Sequence, residues 1–325
     1  MKRVAFGLML GLLILFGISR QVDVGAVLES LASASPALLA LALGCIFLSL
    51  WLKGERWAVA IAAGVGELPR RRLFSSMLIG TAGNIAMPAR VGDFVRAFVL
   101  RKHNGVAVAQ ALTASWSVQV LDFLVVAMLL WMLAPLTEVA SRSVLAAVAL
   151  AAVGALLTLA LVRRFPSVLR PLDRLPPWAT QRLKPIFESA HHGLAFLDSA
   201  RALGMVVGLT ALVWVVESIA ITSGLRAFGL APPLAAGPLL AAAIGLSFVL
   251  PLTPGSLGTY QLASILVLGA YGIERTEAFA FGLGFQAISQ VSVLVAGFFA
   301  LQREGLSLRR LAAGQDRTSK TEEAA

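Results

Sequence analysis

Hydrophobic residues follow one another in long runs along this chain, and short polar stretches separate the runs. A run of about 20 apolar residues has the length that an α-helix needs to cross the hydrocarbon core of a bilayer. The pattern therefore predicts an all-α polytopic membrane protein. The six runs that we predict to be full transmembrane helices lie at residues 4–19, 36–52, 106–133, 144–162, 202–223 and 278–301.

Two further pairs of apolar pieces are too short to cross a bilayer. The pieces lie at residues 73–87 and 94–100, and at residues 237–249 and 260–270. Pro88 lies in the first break, and residues 251–258 form the second. Because a full span needs about 20 residues, each pair fits a hairpin that enters and leaves the membrane on the same side. We therefore predict two re-entrant broken-helix hairpins.

The order of these elements repeats along the chain. Two spans, a broken pair and a further span occur in residues 1–133 and again in residues 142–301, where the second copy starts from the opposite side of the membrane. The spacing PxxxG at residues 88–92 matches the same spacing at residues 254–258. Inverted repeats with paired interrupted helices are typical of transporters, whose substrate site lies near the bilayer midplane.

We predict one transmembrane domain that covers residues 1–301. Its longest polar connection, residues 163–201, is expected to be a cytoplasmic loop. The second part of this loop has apolar residues at three-to-four-residue spacing, which favours an amphipathic helix on the membrane surface. Residues 302–325 form a polar tail that we expect to be cytoplasmic and disordered.

Composition and charge agree with a membrane protein and orient it. Hydrophobic residues make up 58% of the chain and charged residues 14%, which excludes an ordinary soluble domain. The net charge of +10 does not favour nucleic-acid binding, since the basic residues lie in a few short loops and in the tail. Positively charged loops stay on the cytoplasmic side, so we predict a cell (inner) membrane protein with both termini in the cytoplasm. The basic residues that this arrangement leaves outside are Arg20, Arg142, Arg226 and Arg275.

The first break contains charged residues inside an otherwise apolar region. A charge at bilayer depth costs roughly 2.5–3.5 kcal/mol on insertion scales and by default marks a functional site. Arg90, Asp93 and Arg96 are spaced so that Asp93 can pair with either arginine on one helical face. Arginine suits bidentate phosphate contact, and a helix that begins near Pro88 would direct its unpaired N–H groups to the same place. With Asn84, these residues predict a pocket for a lipid phosphate. The alternative is a self-neutralised cluster that anchors the hairpin in the headgroup layer.

The second break carries no charge, so it would contribute hydroxyl and backbone N–H groups. Its candidate site residues are Thr253, Pro254, Gly255, Ser256 and Gly258. Thr253 or Ser256 is expected to cap the helix that begins near residues 257–260, and the glycines allow close backbone approach. The alternative is a plain loop between two full spans, which would place residues 272–277 in the cytoplasm.

Two carboxylates lie in the middle of predicted spans. Asp122 and Glu217 are candidates for the substrate site or for proton carriers. The alternative for both is an interhelical hydrogen bond or an ion pair with Arg90 or Arg96. Four glutamines are expected to make hydrogen bonds between helices and not to bind ligand. They are Gln119, Gln261, Gln286 and Gln290.

No sequence motif points to a cofactor or to catalysis. Cys45 is the only cysteine, which excludes a disulfide framework and a cysteine-ligated metal site. The sequence has no Walker loop, no GxSxG and no HExxH. We therefore expect no metal, no cofactor and no enzymatic activity of the pump or hydrolase kind.

Several of the polar residues above also form a recognisable series. They are Asn84, Pro88, Gly92, Asp93, Arg96, Gly105, Asp122 and Glu217, followed by the PxxPGxxG stretch at residues 251–258. This series resembles the core of the lysylphosphatidylglycerol synthase transmembrane family, also called the flippase-like domain family, over essentially the whole chain. The sequence departs from the family pattern at Val118 and Gln119, where the family often has Glu-Arg, and at Asp93, where it often has Glu.

The resemblance implies that the protein handles lipid. Members of the family are similar to the membrane half of enzymes that make and flip aminoacylated phosphatidylglycerol, and stand-alone members include proteins associated with hopanoid or isoprenoid lipids. Because the sequence ends at Ala325, we expect the soluble aminoacyl-transferase domain of those enzymes to be absent.

We therefore predict a lipid transporter or flippase-like protein that moves a phospholipid or an isoprenoid- or hopanoid-type lipid between leaflets. One alternative is a membrane-embedded accessory subunit or enzyme of lipid headgroup modification. The other is a structural or regulatory membrane protein. The expected partners are a membrane lipid with a phosphate-bearing headgroup and either a second copy of the chain or a lipid-modifying enzyme, but no nucleic acid.

Overall fold

The computed structural model of the protein describes residues 25, 29–30, 32–87, 90–133, 149–150, 152–158, 160, 177–249 and 253–305. The predicted span at residues 4–19, much of the one at residues 144–162 and nearly all of the predicted tail lie outside these residues. Every regular element within the described ranges is helical. The helices are α1 Pro36–Val65, α2 Arg70–Ala86, α3 Val91–Asn104, α4 Val108–Leu133, α5 Pro177–His192, α6 Ala200–Ala227, α7 Ala236–Val249, α8 Thr259–Gly269 and α9 Arg275–Arg303.

Four helices in the described part of the chain are long and apolar enough to span a membrane, namely α1, α4, α6 and α9. They correspond to the predicted spans at residues 36–52, 106–133, 202–223 and 278–301. The prediction of an all-α polytopic membrane protein is confirmed. The predicted total of six spans stays a prediction, because one of the other two falls wholly and one partly outside the described residues.

Helix α1 is longer than predicted, since it continues for 30 residues to Val65. The predicted span ended at residue 52, which placed Lys53 and Arg56 after it, and that boundary is wrong. Apolar residues resume directly after Arg56, and the side chains of Trp57 and Ile61 are fully buried. Because this second apolar stretch packs inside the protein, the helix carries both charges inward with it.

The two broken pairs are present as the hairpins α2–α3 and α7–α8. Helix α2 continues without a break through Gly80 and Gly83. Both glycines lie where α2 and α3 are in backbone contact. A Cβ atom on Gly92 of α3 would overlap the carbonyl oxygen of Gly80, and one on Gly83 would lie 2.9 Å from the Cα atom of Gly92. The missing side chains therefore allow the hairpin to close.

The helix contacts have the symmetry that a repeat requires. Helix α1 packs along α6, its counterpart in the second half. Helix α2 packs against α9, and its counterpart α7 packs in the same way against α4. Within each half the second arm of the hairpin contacts the span that follows it, α3 with α4 and α8 with α9. The opposite orientations of the two halves in a membrane stay a prediction.

The predicted amphipathic helix of the long loop is α5, and a 3₁₀ turn at Ala195–Asp198 follows it. Helix α5 contacts α4, and the turn contacts α1 and α6. Phe196 of the turn is fully buried in the same hydrophobic cluster as Trp57. Ile186, by contrast, stays exposed on α5. One side of this segment therefore packs on the core next to α1, while the other side carries exposed apolar and polar residues.

Candidate functional site

A cavity of about 360 Å³ lies between the two hairpins and the helices α1, α4, α6 and α9. This volume is within the range of roughly 300–1,000 Å³ that small-molecule sites have. Seven charged side chains line the cavity, four of them cationic and three acidic. They are Lys53, Arg56, Arg90, Asp93, Arg96, Asp122 and Glu217. Since charged groups are costly inside a membrane protein and by default functional, this cavity is the candidate site.

Asp93 is the centre of the first break. Its Oδ2 atom accepts a hydrogen bond of 2.9 Å from the Nε atom of Arg90, and its Oδ1 atom lies 3.1 Å from an Nη atom of Arg96. The amide of Asn84 donates to Oδ1 at 3.1 Å, and the amide of Gln119 donates to Oδ2 at 3.4 Å. Asp93 thus pairs with both arginines, as the spacing along the helix predicted.

Arg90 directly precedes α3 and occupies the left-handed region of backbone conformation, with a φ of 55°. This region is uncommon for a residue other than glycine and is often found at functional sites. The helix start at Val91 agrees with the predicted start near residues 88–90. Pro88 itself, a predicted site residue, lies outside the described residues.

Arg96 is held on the side of the cavity next to α1 and α2. Its side chain is almost entirely buried, and the guanidinium carbon lies 4.9 Å from the centre of the Trp57 ring. One Nη atom also lies 3.3 Å from the sulfur atom of Met77. A cation stacked on an indole ring is attracted by the negative face of the ring. These contacts fix the plane of the guanidinium group, while its Nε atom has no hydrogen-bond partner.

A second arginine, Arg56, forms a two-pronged ion pair with Asp122 of α4. The two N···O distances are 2.6 Å and 2.8 Å, the bidentate geometry in which arginine and carboxylate interact most strongly. Thr210 accepts a further hydrogen bond from Arg56 at 3.0 Å, and the Nε1 atom of Trp214 donates to Asp122 at 3.2 Å. The pair therefore ties α1 and α4 to α6.

Lys53 forms an ion pair with Glu217 of α6. The hydroxyl group of Ser49 donates to the same carboxylate oxygen at 2.8 Å. This pair joins the two halves of the repeat, because α1 belongs to the first and α6 to the second. The alternative prediction for Asp122 and Glu217 is confirmed in the interhelical hydrogen bonds that both accept. It is wrong in the ion-pair partners, which are Arg56 and Lys53 and not Arg90 or Arg96.

Lys53 and Arg56 are the site residues that the sequence analysis missed. A signal for them exists, because the apolar run resumes after Arg56 and places both charges inside a single long helix. With Ile46 and Ser49 they recur every three to four residues, and all four line the cavity. This spacing puts them on one face of α1.

The second break is built differently from its prediction. Helix α8 begins at Thr259, its N-cap is Gly258, and the backbone N–H group of Gly258 donates to the side chain of Gln261 at 2.8 Å. The predicted cap by Thr253 or Ser256 is therefore wrong. The hydroxyl group of Thr253 donates instead to the carbonyl oxygen of Leu257 at 2.7 Å. A glutamine three residues into a helix can reach back to the N-cap.

Glutamine side chains hold the second break against α9. The carbonyl oxygen of Gly255 accepts hydrogen bonds from Gln286 at 2.6 Å and from Gln290 at 2.7 Å. Gln261 in turn donates to Gln286 at 2.6 Å. The predicted hydrogen bonds between elements are confirmed for these three residues. They are also confirmed for Gln119, which donates from α4 to Asp93 of α3.

The two breaks lie against each other. The 3₁₀ turn Pro254–Ser256 contacts α2, and a Cβ atom on Gly255 would lie 3.4 Å from the carbonyl oxygen of Ile85. Pro254 is the first residue of this turn. Gly258, at the start of α8, does not line the cavity. The predicted site residues that do line the cavity are Asn84, Arg90, Asp93, Arg96, Asp122, Glu217, Thr253, Gly255 and Ser256.

A comparison with known families agrees with this architecture. The model of the lysylphosphatidylglycerol synthase transmembrane region matches residues 4–297. The chain belongs to this family. No curated protein matches the chain at a significant level. The match includes both hairpins and all seven charged residues of the cavity, so the whole candidate site lies within the family's region. The protein is therefore a lipid-related membrane protein.

In this member of the lysylphosphatidylglycerol synthase transmembrane family, the charges of the site do not cancel. Four cationic side chains face three carboxylates along the cavity wall. Each of the three carboxylates is already in an ion pair. Glu217 pairs with Lys53, Asp122 with Arg56, and Asp93 with both Arg90 and Arg96. One positive charge is left over among the described lining residues. A cavity of this kind suits an anion with one negative charge.

Proposed function

We propose that the protein binds the phosphate-bearing headgroup of a membrane lipid in this cavity and moves the lipid between leaflets. The observation that carries the proposal is the excess of cationic over acidic side chains in a cavity between membrane helices. A phosphodiester headgroup carries one negative charge and would balance that excess. The protein would act in the cell membrane, with both termini in the cytoplasm.

Two arginines that line the cavity, Arg56 and Arg96, support phosphate as the bound group. The Nε atoms of Arg56 and Arg96 are buried and have no hydrogen-bond partner. Buried polar groups are almost always satisfied, so such exceptions call for an explanation. Guanidinium groups suit phosphate geometry, and a phosphate oxygen that reached either Nε atom would satisfy it.

Transport fits the site better than headgroup chemistry. The three carboxylates are each ion-paired, and a paired carboxylate is a weak general base. Binding of an anionic headgroup would compete with Asp93 for Arg90 and Arg96, and the released carboxylate would be free to take up a proton or to change partners. The site would thereby pass between a self-neutralised state and a lipid-bound state as the headgroup moves.

The decisive variant is Arg96→Ala, with Arg101→Ala as its control. Both arginines lie on α3, but Arg96 lines the cavity whereas Arg101 is exposed and outside it. A hydrogen bond to a charged group contributes about 1.5–3 kcal/mol, so transbilayer exchange of a fluorescent phosphatidylglycerol in proteoliposomes should fall roughly tenfold to a hundredfold. Arg101→Ala should exchange lipid like the unaltered protein.

Loss of folding would imitate loss of transport, because Arg96 is buried. Arg90→Ala provides a second variant, since this side chain is less buried, and thermal unfolding in detergent checks each protein. Unchanged exchange in both folded variants would refute the proposal. If the recovered lipid instead carried a chemically altered headgroup, the enzyme or accessory-subunit alternative would replace transport.

A further inference from the structure

A second depression lies on the outer face of α6, and we call it the α6 groove. Its volume is about 710 Å³, and its walls come from α1, α4, α6 and the start of α7. The groove is lined mainly by apolar side chains, several of them about half exposed or more, including Leu41, Met128, Val215, Ile219 and Leu234. Since α1, α4 and α6 are all long and apolar enough to be membrane spans, their outer faces and the groove between them are suited to contact with the hydrocarbon of a bilayer.

One residue lines both the α6 groove and the charged cavity, namely Trp214. On the cavity side its Nε1 atom donates to Asp122 at 3.2 Å. The far edge of its ring lies against Gly245 of α7, where a Cβ atom would be 2.6 Å from the ring and 3.4 Å from Val126 of α4. The indole ring therefore fills the space between α4 and α7 and forms the wall that the two spaces share.

We infer that the α6 groove holds an acyl chain of the transported lipid while its headgroup lies in the charged cavity, with Trp214 as the closing wall between them. The inference rests on the proposed function. It commits to a lipid chain because the groove is apolar, lies between candidate membrane spans and adjoins the charged cavity in which the headgroup is proposed to bind. Arg226, at one end of the groove, places a positive charge where a lipid phosphate would lie before it enters.

The test fills the groove without touching the charged cavity. Val215 lies in the groove, whereas Leu212, one turn earlier on α6, is also exposed but does not line it. Val215→Trp should slow the exchange of diacyl phosphatidylglycerol in proteoliposomes several-fold. Leu212→Trp adds the same ring to the same helix and should exchange lipid at the original rate.

A soluble headgroup separates this inference from the proposed function. Glycerophosphoglycerol has the phosphodiester but no acyl chain, and its binding can be measured by calorimetry on the full chain in detergent. Val215→Trp should bind it as the unaltered protein does, while Arg96→Ala should lose it. Normal lipid exchange by Val215→Trp would overturn the groove assignment and leave the proposed function intact. Loss of glycerophosphoglycerol binding in Val215→Trp would also overturn it, since the variant would then act on the cavity.

A photoreactive amino acid identifies what occupies the groove. Benzoylphenylalanine in place of Val215, irradiated in phosphatidylglycerol vesicles, should add the mass of one lipid to the protein. The same substitution at Leu212 should capture less lipid. Crosslinking of position 215 to another segment of the chain, or to a second copy, would show that protein covers the groove and would overturn the inference.

Discussion

At the scale of single residues, the ion pairs of the cavity are the feature that most affects stability. A buried ion pair contributes little on balance, because desolvation offsets the attraction, but removal of one partner leaves a charge that nothing compensates. The Arg56–Asp122 pair is the clearest instance, since the arginine side chain is only 4% exposed. The Arg70–Glu55 pair has the same N···O distance of 2.6 Å, but its arginine is 76% exposed.

We expect Arg56→Leu to lower the free energy of unfolding by about 3–5 kcal/mol, because it strands Asp122 in the cavity. Arg56→Leu combined with Asp122→Leu should recover much of this loss, since no charge remains unpaired. Thermal unfolding in detergent measures both. Arg70→Leu is the matched control and should cost less than about 1 kcal/mol, as exposed pairs do. Equal losses in Arg56→Leu and Arg70→Leu would contradict the assignment of a buried pair.

The sequence predicted the residues of this site where the contacts are local and failed where they are distant. Arg90 and Arg96 each lie three positions from Asp93, so helical spacing alone predicted both pairs. Arg56 and Asp122 are 66 positions apart, and Lys53 and Glu217 are 164 apart. No local spacing relates such residues, so their pairing follows only from the packing of α1 against α4 and α6.

At the scale of elements, the hairpin α2–α3 depends on backbone contact. A Cβ atom on Gly92 would overlap the carbonyl oxygen of Gly80 and lie 2.7 Å from the side-chain oxygen of Asn84. A carbonyl group inside a helix cannot move aside cheaply, so the two arms must separate. Asn84 and Asp93, which hydrogen-bond across this contact, would then move apart as well.

Gly92→Ala should therefore lower the free energy of unfolding by about 1–3 kcal/mol, the usual cost of an overpacked contact. It should also slow lipid exchange, because Asp93 and both arginines lie on the displaced arm. Gly44→Ala on α1 is the control, since a Cβ atom there meets nothing within 4 Å. Thermal unfolding measures the stability of the two variants, and lipid exchange in proteoliposomes measures their transport. A Gly92→Ala protein as stable as Gly44→Ala would contradict this account of the hairpin.

The breaks themselves were predictable, but the way each is held was not. Proline and glycine placed the second break at residues 251–258, and the turn Pro254–Ser256 lies there. Its supports come from Gln261 of α8 and from Gln286 and Gln290 of α9. A hydroxyl-bearing residue close in sequence was the natural candidate for the cap, whereas the glutamines act across a helix interface that only the folded chain forms.

At the scale of the whole molecule, the pairing of helices is consistent with the repeat that the hydrophobic pattern predicted. The counterparts α1 and α6 pack together, and each hairpin packs against the last span of the other half. The repeat could be predicted from the lengths of the apolar runs and the positions of the breaks. These features depend on bilayer thickness and on backbone chemistry, and not on contacts between distant residues. The same contacts place the cavity between the halves, so access to it from the two leaflets depends on how the halves are oriented.

The inverted repeat requires the two hairpins to approach the cavity from opposite sides of the membrane, which two exposed arginines can test. Arg101 lies near the end of α3, and Arg275 is the first residue of α9 just after α8. In a Cys45→Ala background, Arg101→Cys should react with an impermeant maleimide only in inside-out membrane vesicles, and Arg275→Cys only in right-side-out vesicles. The basic residues near α3 favour the cytoplasm for Arg101, and inversion then places Arg275 outside.

Labelling of both cysteines from the cytoplasmic side would mean that the second break is a plain loop between full spans. The cavity would then lack an approach from the outer leaflet, and a lipid headgroup bound at Arg96 could exchange with one leaflet only.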